Sequence, residues 1–181
     1  MIIKIMAIKG NLLSLIDDKT KIEILRKNWM SHDARCQMTI VREFGWEKGN
    51  KLNKAIITEM GKVMMFRIMN ALGISRLNNI DELKALCLAA MELYYPPPSM
   101  VYQFEDQSDS ELIGIVKRCN VLESVKKLGV SEFYECGCLA MRSGWYKAIG
   151  LNVEEELLTC LKNGDDVCKI ALRVKEWKNK K

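Results

Sequence analysis

Five of the chain's seven cysteines, Cys119, Cys136, Cys138, Cys160 and Cys168, fall in the C-terminal stretch 119–168. The only histidine, His32, has Asp33 beside it. Thiolate and neutral imidazole ligate zinc and other borderline or soft metals, and a thiolate paired with a base is a nucleophile. Three chemistries follow. His32, Cys136, Cys160 and Cys168 could hold a metal such as zinc or iron. Cys136 or Cys138 could attack an electrophile, with His32 as base and Asp33, Asp165 or Asp166 orienting it. The thiols could also simply pack, reduced, in a core. The pair Cys136-Gly137-Cys138 followed by Cys160 and Cys168 matches no standard zinc-ribbon spacing, so the pattern leaves these alternatives open.

Other side chains could shape a pocket around the thiols. Trp29, Phe133, Tyr134, Trp145 and Tyr146 offer apolar walls. Arg142 and Arg118 could clamp a substrate carboxylate in bidentate fashion. Trp29, Arg142 and Tyr146 are the expected substrate-binding residues. No glycine-rich loop with phosphate-cradling or dinucleotide-binding spacing is present.

The elements that must position these groups divide at Pro96-Pro97-Pro98, which neither a helix interior nor a central strand accommodates. Before it, a helix is predicted from Asp17 or Asp18 to Glu43-Phe44-Gly45. Ile22, Leu25, Trp29, His32, Cys36 and Ile40 recur there at helical spacing, which predicts an inward stripe. A second helix from Trp46 to Leu72 would turn Leu52, Ile56, Val63 and Phe66 inward, with Gly73 closing it. A third fits 81–94. After the prolines, 100–104 and 111–118 read as a hairpin, 119–128 as a short helix, and the residues after Cys138 as a helix to Ile149. Segments 154–161 and 167–174 read as a second hairpin. Cys160 and Cys168 would then oppose each other, with Cβ atoms about 4.5–5.5 Å apart.

The expected architecture is α+β, with N-terminal helices packed on a C-terminal antiparallel sheet. Its expected organisation is an arm over 1–16, one domain over 17–174 with a helical half (17–95) and a strand-containing half (99–174), and a basic tail over 175–181. The net charge of +5 sits largely in that tail, where four Lys and one Glu leave the body at only +2. Without a recognition motif, this predicts no nucleic-acid partner. The absence of a long apolar run or secretory leader predicts no membrane span. An odd number of clustered cysteines predicts a reducing, cytoplasmic setting.

Lys27-Asn28-Trp29-Met30-Ser31-His32-Asp33, Leu72-Gly73-Ile74, Cys119 with Lys126 and Lys127, Phe133 followed by Cys136, and Cys160–Asp165/Asp166–Cys168 occur in that order. Over about residues 20–174 this series resembles an uncharacterised prokaryotic family. That family is related to the L-2-amino-thiazoline-4-carboxylic acid hydrolase group and, more distantly, to 4-vinyl reductase-like domains. The chain departs from the family pattern at Ala34-Arg35-Cys36, where an aromatic is usual, and at Lys162-Asn163-Gly164, where prolines are usual.

The resemblance implies the ligand-binding fold of nitric-oxide-sensing and Golgi-transport proteins, a pocket between helices and sheet, a small-molecule ligand and a homodimer. It implies hydrolysis of a small carbon–nitrogen or carbon–sulfur ring or amide. The alternative is a non-catalytic sensor or delivery domain that binds a metal or cofactor.

Overall fold

The computed structural model describes residues 12–177. The expected arm therefore lies mostly outside the described residues, as do the last four residues of the expected tail. After a 3-10 turn at Leu12–Leu15, helix α1 spans Asp18–Leu72. Asp17 caps it by accepting from the Thr20 N–H at 2.8 Å. The two helices expected here are joined at Gly45, whose φ of +79° and ψ of 169° break the helical path. Few residues other than glycine tolerate that backbone region. The bend divides α1 into an N-terminal arm and a C-terminal arm.

Neither apolar stripe expected on α1 turns inward as a whole, and of the first only Trp29 and Ile40 are partly covered. Ile22, Leu25, His32 and Cys36 are exposed, Leu25 by 68%. Leu52, Ile56, Val63 and Phe66 are exposed as well, Phe66 by 58%. The C-terminal arm buries Met64, Met65, Ile68 and Met69 instead. This arm carries apolar side chains on opposing sides, so periodicity alone selects no face.

Helix α2 (Ile80–Tyr94) contributes Leu83, Leu86, Cys87 and Ala90 to the main core, and Asn79 caps it. The first hairpin is β1 (Met100–Ser108) and β2 (Glu111–Cys119). Helix α3 (Asn120–Lys127) follows, then a loop and helix α4 (Cys138–Ile149). The chain ends in β3 (Asn152–Thr159) and β4 (Cys168–Glu176).

The four strands form one antiparallel sheet in the order β1-β2-β4-β3. Leu112 opposes Leu172 across the central pair, and both join the main core with Val174. The protein is thus α+β, helices followed by an antiparallel sheet. α4 packs on the C-terminal arm of α1 with their backbones nearly touching. A methyl group at Gly61 would strike the Met141 carbonyl, and one at Gly144 would strike the Thr58 carbonyl. A second, smaller core gathers Leu122, Val125, Tyr134, Cys160, Cys168 and Ile170.

Among the described residues, no helix is long and apolar enough to cross a membrane.

Candidate functional site

A cavity of about 340 Å³ lies between the N-terminal arm of α1, helix α3, the 130–137 loop and the start of α4. Its lining is mostly apolar and aromatic, with Trp29, Trp46, Tyr95 and Tyr134 among the walls. Its chemistry-bearing groups are Cys119, Cys136, Cys138 and Asp33. Each reaches the wall for a local reason. Cys119 ends β2 and precedes α3. Cys138 is the first residue of α4, where unpaired backbone N–H groups favour negative charge.

The loop that delivers Cys136 is held by Asn50, which is 2% exposed. Asn50 Nδ2 donates to the Phe133 carbonyl at 2.7 Å, and its Oδ1 accepts from the Glu135 N–H at 3.2 Å. A Lys54–Glu135 ion pair ties the same loop to α1. Phe133 stacks on Trp46 with ring centroids 6.0 Å apart.

The thiols at Cys136 and Cys138, one residue apart across Gly137, are electrostatically distinct. Cys136 stabilises the Cys138 thiolate, and the Arg142 charge one helical turn away adds to this, against the cost of burial. The Cys138 thiol is lowered to about 6. Cys136 is pushed far up by the neighbouring Cys138 thiol, and burial works in the same direction. Cys119 is raised mainly by burial. Asp33 is likewise raised by burial, with His32 opposing it. One cavity thus presents a thiolate, a protonated thiol partner and a carboxyl whose proton is held more tightly than usual.

The expected site residues divide between this cavity and other places. Trp29, Asp33, Cys136 and Cys138 come together on its wall. His32 does not. It is exposed, and it lies beside Cys36, whose Sγ is 3.6 Å from Nε2. Adjacent helical residues point about 100° apart, so Asp33 facing the cavity turns His32 away.

Cys160 and Cys168 are neighbours, as their hairpin register predicts, with Sγ atoms 3.9 Å apart. They sit in the smaller core, where Cys168 is pushed up to about 12 mainly by burial. Asp165 caps the Cys160 N–H at 2.7 Å. The four expected metal ligands are therefore not assembled. Among the described residues, no three His, Cys, Asp or Glu side chains are grouped to hold a metal ion.

Arg142 and Tyr146 do not line this cavity; both bond Glu155, while Arg142 Nη2 has no hydrogen-bond partner among the described residues. Glu155 Oε1 accepts from Arg142 Nε at 2.6 Å and from the Tyr146 hydroxyl at 2.7 Å. Burial disfavours the Arg142 charge, but Glu155, Cys138 and Tyr146 more than offset it. Arg118 is exposed and pairs with Glu123 at 2.7 Å. Trp145 is fully buried in the main core.

Sequence reasoning missed Asn50 and Asn53, the two buried polar residues of the C-terminal arm. Their shared helical face, three residues apart, is the signal that could have found them.

A family model described as L-2-amino-thiazoline-4-carboxylic acid hydrolase matches residues 30–172. No curated protein matches the chain. Among solved structures, the chain is similar to a trafficking protein particle complex subunit 3 from Naegleria fowleri covalently bound to palmitic acid. That match has 16% identity, covers 90% of this chain and 100% of that one, and has a TM-score of 0.57. An H-NOX protein from S. oneidensis in the Fe(II)NO ligation state matches at 9% identity and a TM-score of 0.43, over 68% of this chain and 66% of that one. An Fe(II) unliganded H-NOX protein from K. algicida matches at 12% identity and a TM-score of 0.44, over 76% and 73%.

Proposed function

Because the chain belongs to the L-2-amino-thiazoline-4-carboxylic acid hydrolase family, we propose that it hydrolyses a small carbon–nitrogen or carbon–sulfur ring or amide with Cys138 as nucleophile. The observation that carries this reading is the position of Cys138 at the start of α4 on the wall of an apolar cavity, where Cys136 and Arg142 favour its thiolate. The thiolate adds to the electrophilic carbon of the substrate. The carbon–nitrogen or carbon–sulfur bond breaks, and the leaving atom takes a proton from Asp33. Water then cleaves the bond to Cys138, returning its proton to Asp33. Burial suits Asp33 to this role by keeping its proton available higher up the pH scale.

Hydrolysis of L-2-amino-thiazoline-4-carboxylic acid and of small cyclic and open amides, followed by mass spectrometry, tests this reading. Cys138→Ala should abolish turnover, whereas His32→Ala should leave it intact because His32 lies outside the cavity. Full turnover by Cys138→Ala would overturn the mechanism.

A second reading, carriage of an apolar ligand without turnover, is favoured by the aromatic and methionine lining of the same cavity. It also agrees with the palmitic acid bound covalently to the Naegleria fowleri protein. Native mass spectrometry of the purified chain would reveal such a ligand as an added mass. A homodimer belongs to either reading, with the exposed Leu52, Ile56, Val63 and Phe66 on one face of α1 as its candidate contact.

A further inference from the structure

Hydrolysis needs one thiol at the reacting carbon, yet the cavity wall carries a second, Cys136, one residue away across Gly137. We propose that Cys136 and Cys138 form a redox pair that reduces low-molecular-weight disulfides entering this cavity, with Cys138 as attacking thiol and Cys136 as resolving thiol. Three observations support it. Both residues line a cavity large enough for a small disulfide. They are separated only by Gly137, and two residues of chain hold their Cα atoms within about 7 Å, close to the span a disulfide bridges. Gly137 adopts a compact turn (φ −86°, ψ 0°) outside the helix, so closing the ring does not require unwinding α4.

The division of labour follows from the surroundings. Cys138, at the positive end of α4 and near Arg142, is the thiolate that attacks. Cys136 keeps its proton until the mixed disulfide forms. In the first step Cys138 Sγ bonds one sulfur of the ligand, the ligand's S–S bond breaks, and one thiolate leaves and is protonated by solvent. In the second, Cys136 gives up its proton to solvent and attacks Cys138 Sγ. The second ligand thiolate departs and takes up a proton. Two protein thiols become one disulfide while one ligand disulfide becomes two thiols, and no further electron donor enters. Cys160 and Cys168 are closer to a conventional bridge, but they are buried away from this cavity. Cys119 shares the cavity, and burial holds its proton more firmly.

The test uses the full chain, reduced, freed of reductant and mixed with bis(2-hydroxyethyl) disulfide, a small uncharged probe. Intact mass should fall by two hydrogens with no retained adduct. Trypsin should release residues 128–142, the peptide that holds Cys136 and Cys138 and no other cysteine, with an internal disulfide. Cys136→Ser should stop at a stable hydroxyethylthio adduct on that peptide, and Cys138→Ser should leave the peptide unmodified. A wild-type protein that keeps the adduct, remains unreacted, or forms its bridge at Cys119 or between Cys160 and Cys168 would overturn the proposal. The wild-type peptide map needs no variant to fold. Because it reads mass rather than turnover, it stands or falls separately from the hydrolase reading.

Discussion

At the scale of single residues, the site depends on environments that move two acids in opposite directions. With its thiol lowered to about 6, Cys138 should show an alkylation rate by iodoacetamide that rises through pH 6 and is nearly flat above pH 7. Removing the neighbouring thiol in Cys136→Ala should move that midpoint up toward the ordinary thiol value of about 8.5, and an unchanged midpoint would refute the coupling. Asp33 works in the opposite sense. Burial raises its folded pKa above the unfolded value, so the folded state holds the proton more tightly. Its contribution to stability is present below the unfolded pKa of about 3.9 and declines as pH rises through the folded value. Asp33→Asn should therefore be slightly more stable than the parent at pH 7 and should lose that part of the pH drift, as read by urea denaturation. The same variant should lose hydrolytic turnover. Residue types made the Cys136–Cys138 pair legible in the sequence, whereas the choice between His32 and Asp33 was not. A single step along a helix decides which of the two faces the cavity, and the true buried face of this arm carries Arg26, Trp29, Met30, Asp33 and Gln37 as partly covered residues, a set with little apolar periodicity.

At the scale of elements, the contact between α1 and α4 fixes where Cys138 sits. Gly61 and Gly144 let the two backbones meet, and an added methyl at either would run into a carbonyl rather than a movable side chain. Gly61→Ala and Gly144→Ala should each cost about 3 kcal/mol or more in chemical denaturation, at the upper end for overpacked cores. A loss near zero would mean that the helices can separate freely. The Arg142–Glu155 pair, with side chains only 13% and 9% exposed, ties α4 to β3. Glu155→Ala should cost about 3–5 kcal/mol because it strands a buried guanidinium. The extents of α2, α3 and α4 were legible because prolines, glycines and caps bound them, whereas β1 continues to Ser108 through residues that read as a turn, and β3 ends at Thr159 rather than 161. The orientation of α1 was not, since Leu52, Ile56, Val63 and Phe66 mimic a core face while Met64, Met65, Ile68 and Met69 occupy the real one. The pairing of β2 with β4 was also hidden. Leu112 and Leu172 meet only through a long-range register that no local signal encodes.

At the scale of the whole molecule, the cavity opens where the two cores meet the arm of α1 that precedes Gly45. The main core joins α2, α4, the C-terminal arm of α1 and the sheet, while the smaller core joins α3, Tyr134 and the Cys160–Cys168 hairpin. The N-terminal arm closes over the space between them through Trp29, which packs against Tyr94 and Tyr95 at centroid distances of 6.0 and 5.7 Å. A space of about 340 Å³ left there forgoes packing that the same side chains could otherwise make. Filling it should therefore trade function for stability. Ala34 is an exposed residue that lines the cavity from that arm, and Ala34→Phe should raise unfolding free energy by about 0.5 kcal/mol, the low end of the range for cavity-filling changes. It should slow alkylation of Cys138 by a bulky N-aryl maleimide more than by iodoacetamide, because it narrows the space without altering the thiolate. If both reagents slow equally, the substitution has disturbed the electrostatics or the fold instead. If neither slows, substrates reach Cys138 by a route that does not pass the α1 arm.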